Sequence, residues 1–184
     1  MRIISGNLRG RRIAAVPGLA TRPTADRTRE ALFNILGPLV VDRKVLDLFA
    51  GTGALAIEAL SRGARTALLV DNSRAALSTI RKNIAKCGLA GVVTVRYFDL
   101  CRRLTLLAAY PNYFDLIFMD PPYHRRLVES TLDRLHDSGA LAEEALIVAE
   151  HHVDEAFTPA GGFFKLKDQR RYGKTLVSFL TYVL

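Results

Sequence analysis

The sequence predicts a doubly wound α/β sheet, and three observations carry that expectation. Apolar runs of strand length alternate with amphipathic stretches of helix length from about residue 45 to about residue 150. The first run, Val45-Leu46-Asp47-Leu48, enters a two-glycine turn, Phe49-Ala50-Gly51-Thr52-Gly53, and continues as the helix-forming Ala54-Leu55-Ala56-Ile57-Glu58-Ala59-Leu60. The last two runs, Phe163–Lys167 and Thr175–Leu180, have no crossover helix between them, so they must pair antiparallel.

Taken in order, residues 2–16 set short apolar groups among Arg9, Gly10, Arg11 and Arg12 around a Ser5-Gly6-Asn7 turn signal, which predicts a small arginine-bearing β-hairpin. Apolar positions 31, 32, 35 and 36 predict an amphipathic helix from Thr28 to Leu36, stopped by Gly37-Pro38. Beyond the glycine turn the pattern predicts a strand at 66–70, a helix from Ser73 to Lys86 closed by Gly88, and a strand at 92–96. A shorter helix near 102–109, a buried strand at 113–119, a helix over 125–136 and a strand at 145–149 complete the alternation. At 184 residues, with no repeat or linker, the expectation is one domain over 1–184, its first 20 residues forming a basic extension.

Composition narrows the class. No apolar run approaches the length of a membrane span, and Ser5-Gly6 follows Met1-Arg2-Ile3-Ile4 where a signal peptide would carry its apolar region. A cytoplasmic location is the expectation, with Cys87 and Cys101 as reduced structural thiols. The net charge of +8 is unevenly spread. Seven arginines against Asp26 and Glu30 fall in the first thirty residues, and Lys165, Lys167, Arg170, Arg171 and Lys174 face one acid, Asp168, near the other end. Basic ends around a more neutral middle point to a polyanionic partner. Arginine forks suit phosphate oxygens, which makes the N-terminal hairpin the first candidate for gripping RNA.

The glycine turn is a ligand site by its physics. Without Cβ atoms the backbone turns tightly, and the new helix presents unpaired N–H groups and its positive dipole end. Gly51-Thr52-Gly53-Ala54-Leu55-Ala56 fits a dinucleotide fingerprint, so a nicotinamide enzyme is one reading. Two acids favour another nucleotide. Asp47, inside the strand before the turn, would repel a pyrophosphate and attract an ammonium. Asp71, ending the next strand, is placed to accept from ribose hydroxyls. An adenosine with an amino-acid tail satisfies both, which is S-adenosylmethionine.

A second constellation is Asp120-Pro121-Pro122-Tyr123, at the end of the fourth strand. The prolines remove two donors and stiffen the loop, leaving carbonyls to accept. Asp120 and the Pro121 carbonyl can hold the two hydrogens of a planar amine while Tyr123 stacks on its ring. Such an amine is a weak nucleophile, and orienting it favours direct displacement at a sulfonium methyl without a metal. In a doubly wound order, Asp47 and Asp120 are expected to converge on one crevice at the switch point. His124, beside the motif, and His151-His152, after the fifth strand, could face the crevice, with ordinary surface or loop histidines as the plainer reading.

Asp120-Pro121-Pro122-Tyr123 matches the D-P-P-Y motif of S-adenosylmethionine-dependent amino methyltransferases, and Asp47-Leu48-Phe49-Ala50-Gly51-Thr52-Gly53 resembles their cofactor loop. Arg2-Ile3-Ile4-Ser5-Gly6, Arg9-Gly10-Arg11, the segment Arg22-Pro23-Thr24-Ala25-Asp26-Arg27-Thr28-Arg29-Glu30 and Glu58-Ala59-Leu60-Ser61-Arg62-Gly63-Ala64 together look like the bacterial 16S ribosomal RNA guanine-N2 methyltransferases of RsmD type. The resemblance covers most of the chain. It implies a Rossmann-like, seven-stranded class I methyltransferase fold and methyl transfer to N2 of a flipped guanine in 16S rRNA or the small subunit. It also implies cofactor contacts from Thr24, Asp47, Phe49, Gly51, Gly53, Asp71, Asn72, Asp99 and Leu100, the last two beside the adenine. Thr24 and Arg27 are candidates to hold the methionine end or the incoming nucleotide, and the basic charge makes Arg2, Arg9, Arg11, Arg12, Arg22 and Arg27 the expected RNA contacts. DNA adenine or cytosine amino methyltransferases share the D-P-P-Y residues and remain open at this point, although the compact chain has no separate DNA-reading domain. The release-factor glutamine enzymes usually begin the motif with Asn, against Asp120 here.

Overall fold

The computed structural model describes residues 1–18, 23–155, 157 and 162–183, with only the backbone described for residues 23–26. The chain forms two compact units, Met1–Phe98 and Asp99–Leu184.

In the first unit, parallel strands β1 (Lys44–Leu48), β2 (Thr66–Asp71) and β3 (Val93–Tyr97) lie in the order β3-β2-β1. β1 and β2 are nearly continuous buried apolar runs, as parallel strands covered on both faces must be. The intervening helices are α2 (Ala54–Ser61) and α3 (Arg74–Cys87). α3 starts where the sequence places it: the Ser73 side chain accepts from Ala76 N at 3.3 Å, and Gly88 closes the helix in the left-handed conformation at φ 73°. The helix before β1, α1, spans Pro23–Leu36, five residues longer at its start than the predicted Thr28. Proline at a first helical position has the φ and the missing N–H that position wants.

The N-terminal extension is not the regular hairpin expected. Its antiparallel pairing is one bridge, Arg2 with Arg12, with Ile3 N donating to Arg11 O and Gly10 N to Ile3 O, both at 2.9 Å. Between these, Arg9 N donates to Gly6 O and Arg11 N to Leu8 O, each at 3.1 Å, and the other backbone bonds of this stretch reach α2. Ile4 N and Ser5 N donate to the Glu58 carboxylate at 2.8 and 3.0 Å, and Leu8 N donates to Ser61 Oγ at 2.9 Å. Ala14 and Asn83 of α3 exchange two more bonds. Ile3 and Ile13 bury against Ile57 and Cys87 beneath this polar seam. Gly6 sits so close to α2 that a Cβ would lie 1.8 Å from the Ser61 carbonyl oxygen, so the approach admits glycine alone.

In the second unit, β4 (Phe114–Met119) and β5 (Leu141–His152) run parallel, while β6 (Phe164–Tyr172) and β7 (Thr175–Tyr182) pair antiparallel, in the order β4-β5-β7-β6. The antiparallel ending is as expected. β5 is longer than the predicted 145–149 at both ends, because Leu141 pairs with Phe114 and residues 150–152 continue onto β7. The predicted helix near 102–109 shrinks to a 3₁₀ turn, Thr105–Ala109. α4 begins at Leu127 and ends at Ser138, because Arg126 takes a left-handed φ of 50° and cannot open the helix earlier. No helix among the described residues is long and apolar enough to cross a membrane.

Candidate active site

The glycine turn of the first unit is built around two buried carboxylates. Gly51 and Gly53 both have left-handed φ, 56° and 76°, and Phe49 joins them at 62°. A Cβ on Gly53 would come within 2.9 Å of the Leu69 side chain on β2, so the turn also sits tightly on the sheet. Asp71 braces it: Oδ2 accepts from Gly51 N at 2.8 Å and Oδ1 from Ser73 N at 2.7 Å. One acid thus ties the turn after β1 to the cap of α3. Each of its oxygens retains a second acceptor site. Asn72 beside it is exposed.

Asp47 lies under the turn rather than on it. It is 2 % exposed, and its Oδ2 accepts from Ala56 N in the first turn of α2 at 3.2 Å. Burial pushes its pKa up to about 7; the Ala56 hydrogen bond works against that rise and the neighbouring Asp71 adds to it. A carboxylate desolvated to this degree gains from a cation brought near it.

The second unit holds Asp120-Pro121-Pro122-Tyr123 immediately after β4, with Asp120 exposed and Pro121 buried. Tyr123 is fixed by residues that sequence reasoning missed. Its hydroxyl donates to Glu150 Oε1 at 2.6 Å and lies 3.0 Å from Thr175 Oγ1. Burial, together with the Glu150 carboxylate, drives the phenol pKa well above its ordinary value, so Tyr123 is a neutral donor. Glu150 is itself raised by burial, an effect the Tyr123 hydrogen bond opposes. A polar residue closing the apolar run Ala145–Ala149 was the available signal for Glu150. Thr175 had none.

The loop after the motif is held by one acid. His124 and Arg126 have left-handed φ of 63° and 50°, and their N–H groups donate to Glu155 Oε2 and Oε1, each at 2.8 Å. Partial burial of Glu155 would raise its pKa, but the N–H groups of Arg126, His124 and Arg125 outweigh that and hold it low. The Glu155 clamp, made by a residue after β5, carried no sequence signal. A cavity of about 160 Å³ opens beside the motif, lined among others by Pro121, Pro122, Tyr123, Arg126, His151 and Glu155. His151 is buried, its pKa lowered chiefly by burial, with Nε2 2.8 Å from Ser178 Oγ. The His152 ring lies 4.7 Å from that of His124 and 5.9 Å from Tyr123.

The remaining predicted residues divide. Asp99 makes a local turn, accepting from Cys101 N at 3.0 Å and pairing with Arg102 at 3.3 Å. Leu100 is buried, and its carbonyl accepts from Arg134 at 3.3 Å. Arg2, Arg9 and Arg27 line one groove of about 450 Å³ with Glu30. Arg12 is exposed beside Arg2 in the bridge, and Arg11 reaches the Lys86 carbonyl at 3.3 Å. Arg22 and the Thr24 side chain lie outside the described residues.

The fold, with its glycine turn after the first strand and its antiparallel last strands, is that of the class I methyltransferases. A structure described as putative methyltransferase yhhF from Escherichia coli superposes with a TM-score of 0.85 at 38 % identity, covering 100 % of this chain and 98 % of that one. A family model described as "Conserved hypothetical protein 95" matches residues 1–181. The chain is 40 % identical over 176 residues to ribosomal RNA small subunit methyltransferase D of E. coli K12, covering 95 % of this chain and 86 % of that protein. It is 37 % identical to the putative rRNA methyltransferase YlbH of Bacillus subtilis, with 97 % of each covered. The chain belongs to this conserved hypothetical protein 95 family, the RsmD type.

Proposed function

We propose that the chain transfers a methyl group from S-adenosylmethionine to the exocyclic N2 of a guanine in small-subunit ribosomal RNA, the base being flipped out of its stack. The observation that carries the reading is the Asp120–Tyr123 loop, whose aromatic ring is fixed through Glu150 and Thr175. The small-subunit rRNA specificity is supported by the likeness to the E. coli relative, ribosomal RNA small subunit methyltransferase D.

The residues of the glycine turn fit an adenosine bearing an amino-acid tail. Asp71 has an acceptor site left on each oxygen for ribose hydroxyls, and Asp47 offers a desolvated carboxylate to an ammonium. Thr24, Phe49, Gly51, Gly53, Asn72, Asp99 and Leu100 complete the proposed cofactor set. When bound, S-adenosylmethionine supplies an electrophilic methyl group on a sulfonium. Asp120 and the Pro121 carbonyl accept from the two N–H bonds of the guanine amine, which aims its lone pair away from them. The Tyr123 ring offers its face to the base, and the rigid Pro121-Pro122 backbone keeps acceptor and ring in register. Asp120, being exposed, takes the proton released on methylation and passes it to water. Extruding the base costs a few kcal/mol, offset by this stacking and edge bonding. Arg2, Arg9, Arg11, Arg12, Arg22 and Arg27 are proposed to hold phosphates.

The test is incorporation of labelled methyl from S-adenosylmethionine into small-subunit particles, naked 16S rRNA and duplex DNA, followed by mass spectrometry of the nucleosides. N2-methylguanosine in the ribosomal RNA is expected. Label in DNA adenine or cytosine, or at another guanine atom, would overturn the proposal.

A further inference from the structure

We propose that the turn end of the β6–β7 hairpin is a docking track for single-stranded RNA flanking the target nucleotide, with Tyr172 as a stacking platform and Arg170 and Lys174 as phosphate contacts. The choice of RNA rests on the function proposed above. The placement rests on register. Antiparallel pairing sets Glu150, Val177 and Arg170 in one cross-strand row and His152, Thr175 and Tyr172 in the next. Side chains within such rows share a face of the sheet. Glu150 and Thr175 are the residues that hold the Tyr123 hydroxyl. Arg170 and Tyr172 therefore continue the same face outward from the anchors of Tyr123, two strands from Glu150 and His152, or roughly 10 Å at strand spacing.

The track is rigid and basic. The turn Gly173-Lys174 is fixed through Val153 N, which donates to Lys174 O at 3.0 Å. Val153 opens the same short turn that carries Glu155, the clamp on the loop after the motif. Arg170 and Lys174 are exposed and Tyr172 half-buried. The acid of the hairpin, Asp168, pairs with Arg170 at 2.8 Å, a surface pair that a phosphate can outcompete at low cost. Arg171 falls in the row of Leu176 and His151, on the opposite face, with its Nε donating to Gly173 O at 2.9 Å. The competing explanation is that a charged edge strand merely discourages edge-to-edge pairing. That explanation is indifferent to which basic residue is removed.

Fluorescence anisotropy with a labelled single-stranded oligouridylate, titrated at several salt concentrations, separates the two. Replacing Arg170 and Lys174 together by Ala should lower the slope of log K against log salt by about 1.4, at roughly 0.7 per phosphate contact on a single strand. Tyr172→Ala should weaken binding roughly 5- to 150-fold with the slope unchanged, as loss of one stacked base predicts. Lys165→Ala with Lys167→Ala, at the far end of β6, is the control and should alter neither. Melting curves of each variant establish that it is folded. Equal effects from the two pairs, unchanged slopes, or no binding by the unaltered chain at low salt would each overturn the proposal. Binding is read without turnover, so a track that binds RNA in a chain that methylates nothing would instead count against the proposed function.

Discussion

Replacing Asp47 by Asn probes the electrostatic design of the glycine turn. The unfolded chain releases this proton near the ordinary 3.8, whereas burial delays release in the folded chain to about 7. Between those values the folded form binds more protons, so its stability falls as pH rises from about 4 to about 7 and then levels off. A gap of about three pH units, at about 1.4 kcal/mol each, sets a ceiling of roughly 4 kcal/mol on the penalty. Asn keeps an acceptor for the Ala56 N–H, which now bonds Oδ2 at 3.2 Å, and carries no charge. At about 2–4 °C per kcal/mol for a chain of this size, Asp47→Asn should raise Tm by up to about 16 °C at alkaline pH. It should do little below the unfolded pKa. Differential scanning fluorimetry across that range reads the effect directly. S-adenosylhomocysteine keeps the ammonium, so it should stabilise the unaltered chain and lose most of that effect in the variant. A variant no more stable than its parent at alkaline pH, or a parent whose Tm is flat between about pH 4 and 7, would refute the reasoning.

Other perturbations address neighbouring parts. Tyr123→Phe removes the hydroxyl and leaves the half-buried Glu150 carboxylate without that donor; kcat should fall about 10- to 100-fold, for a loss of roughly 1–3 kcal/mol, with S-adenosylhomocysteine affinity by calorimetry unchanged. Combining Tyr123→Phe with Glu150→Ala should cost little more than the worse single change, and full additivity in a kinetic double-mutant cycle would refute the pairing. Gly53→Ala places a Cβ 2.9 Å from Leu69 at a φ of 76°, and urea denaturation should show a loss of about 1–3 kcal/mol. Glu58→Ala deprives Ile4 N and Ser5 N of their acceptor; limited proteolysis should then cut within the first residues while the remainder stays resistant.

What was legible in the sequence followed from local chemistry. The strand into Gly51 and Gly53, the Ser73 cap and the Gly88 stop of α3 declare themselves within a few residues, and the structure places each accordingly. The antiparallel β6 and β7 followed from the lack of a crossover between them. What escaped was set by tertiary partners. The N-terminal arm reads as a hairpin because its apolar residues alternate, but Glu58 and Ser61 take its backbone bonds. Asp120 and Tyr123 stand out in the sequence as a motif, whereas Glu150, Thr175 and Glu155 are brought to that loop from far along the chain. Asp71 reads as a ribose ligand from its position alone, whereas its bracing of Gly51 shows only in the fold.

The anchoring of Tyr123 has a consequence for synthesis of the protein. Thr175 opens the final strand, so the motif loop gains its last support only when the end of the chain is free to pair. The first unit, with its glycine turn, is complete by Phe98 and domains generally fold in the order they emerge. A chain still being translated would thus display a finished glycine turn before the Asp120–Tyr123 loop had been made firm, and a stop codon ahead of residue 175 would leave the Tyr123 hydroxyl without Thr175.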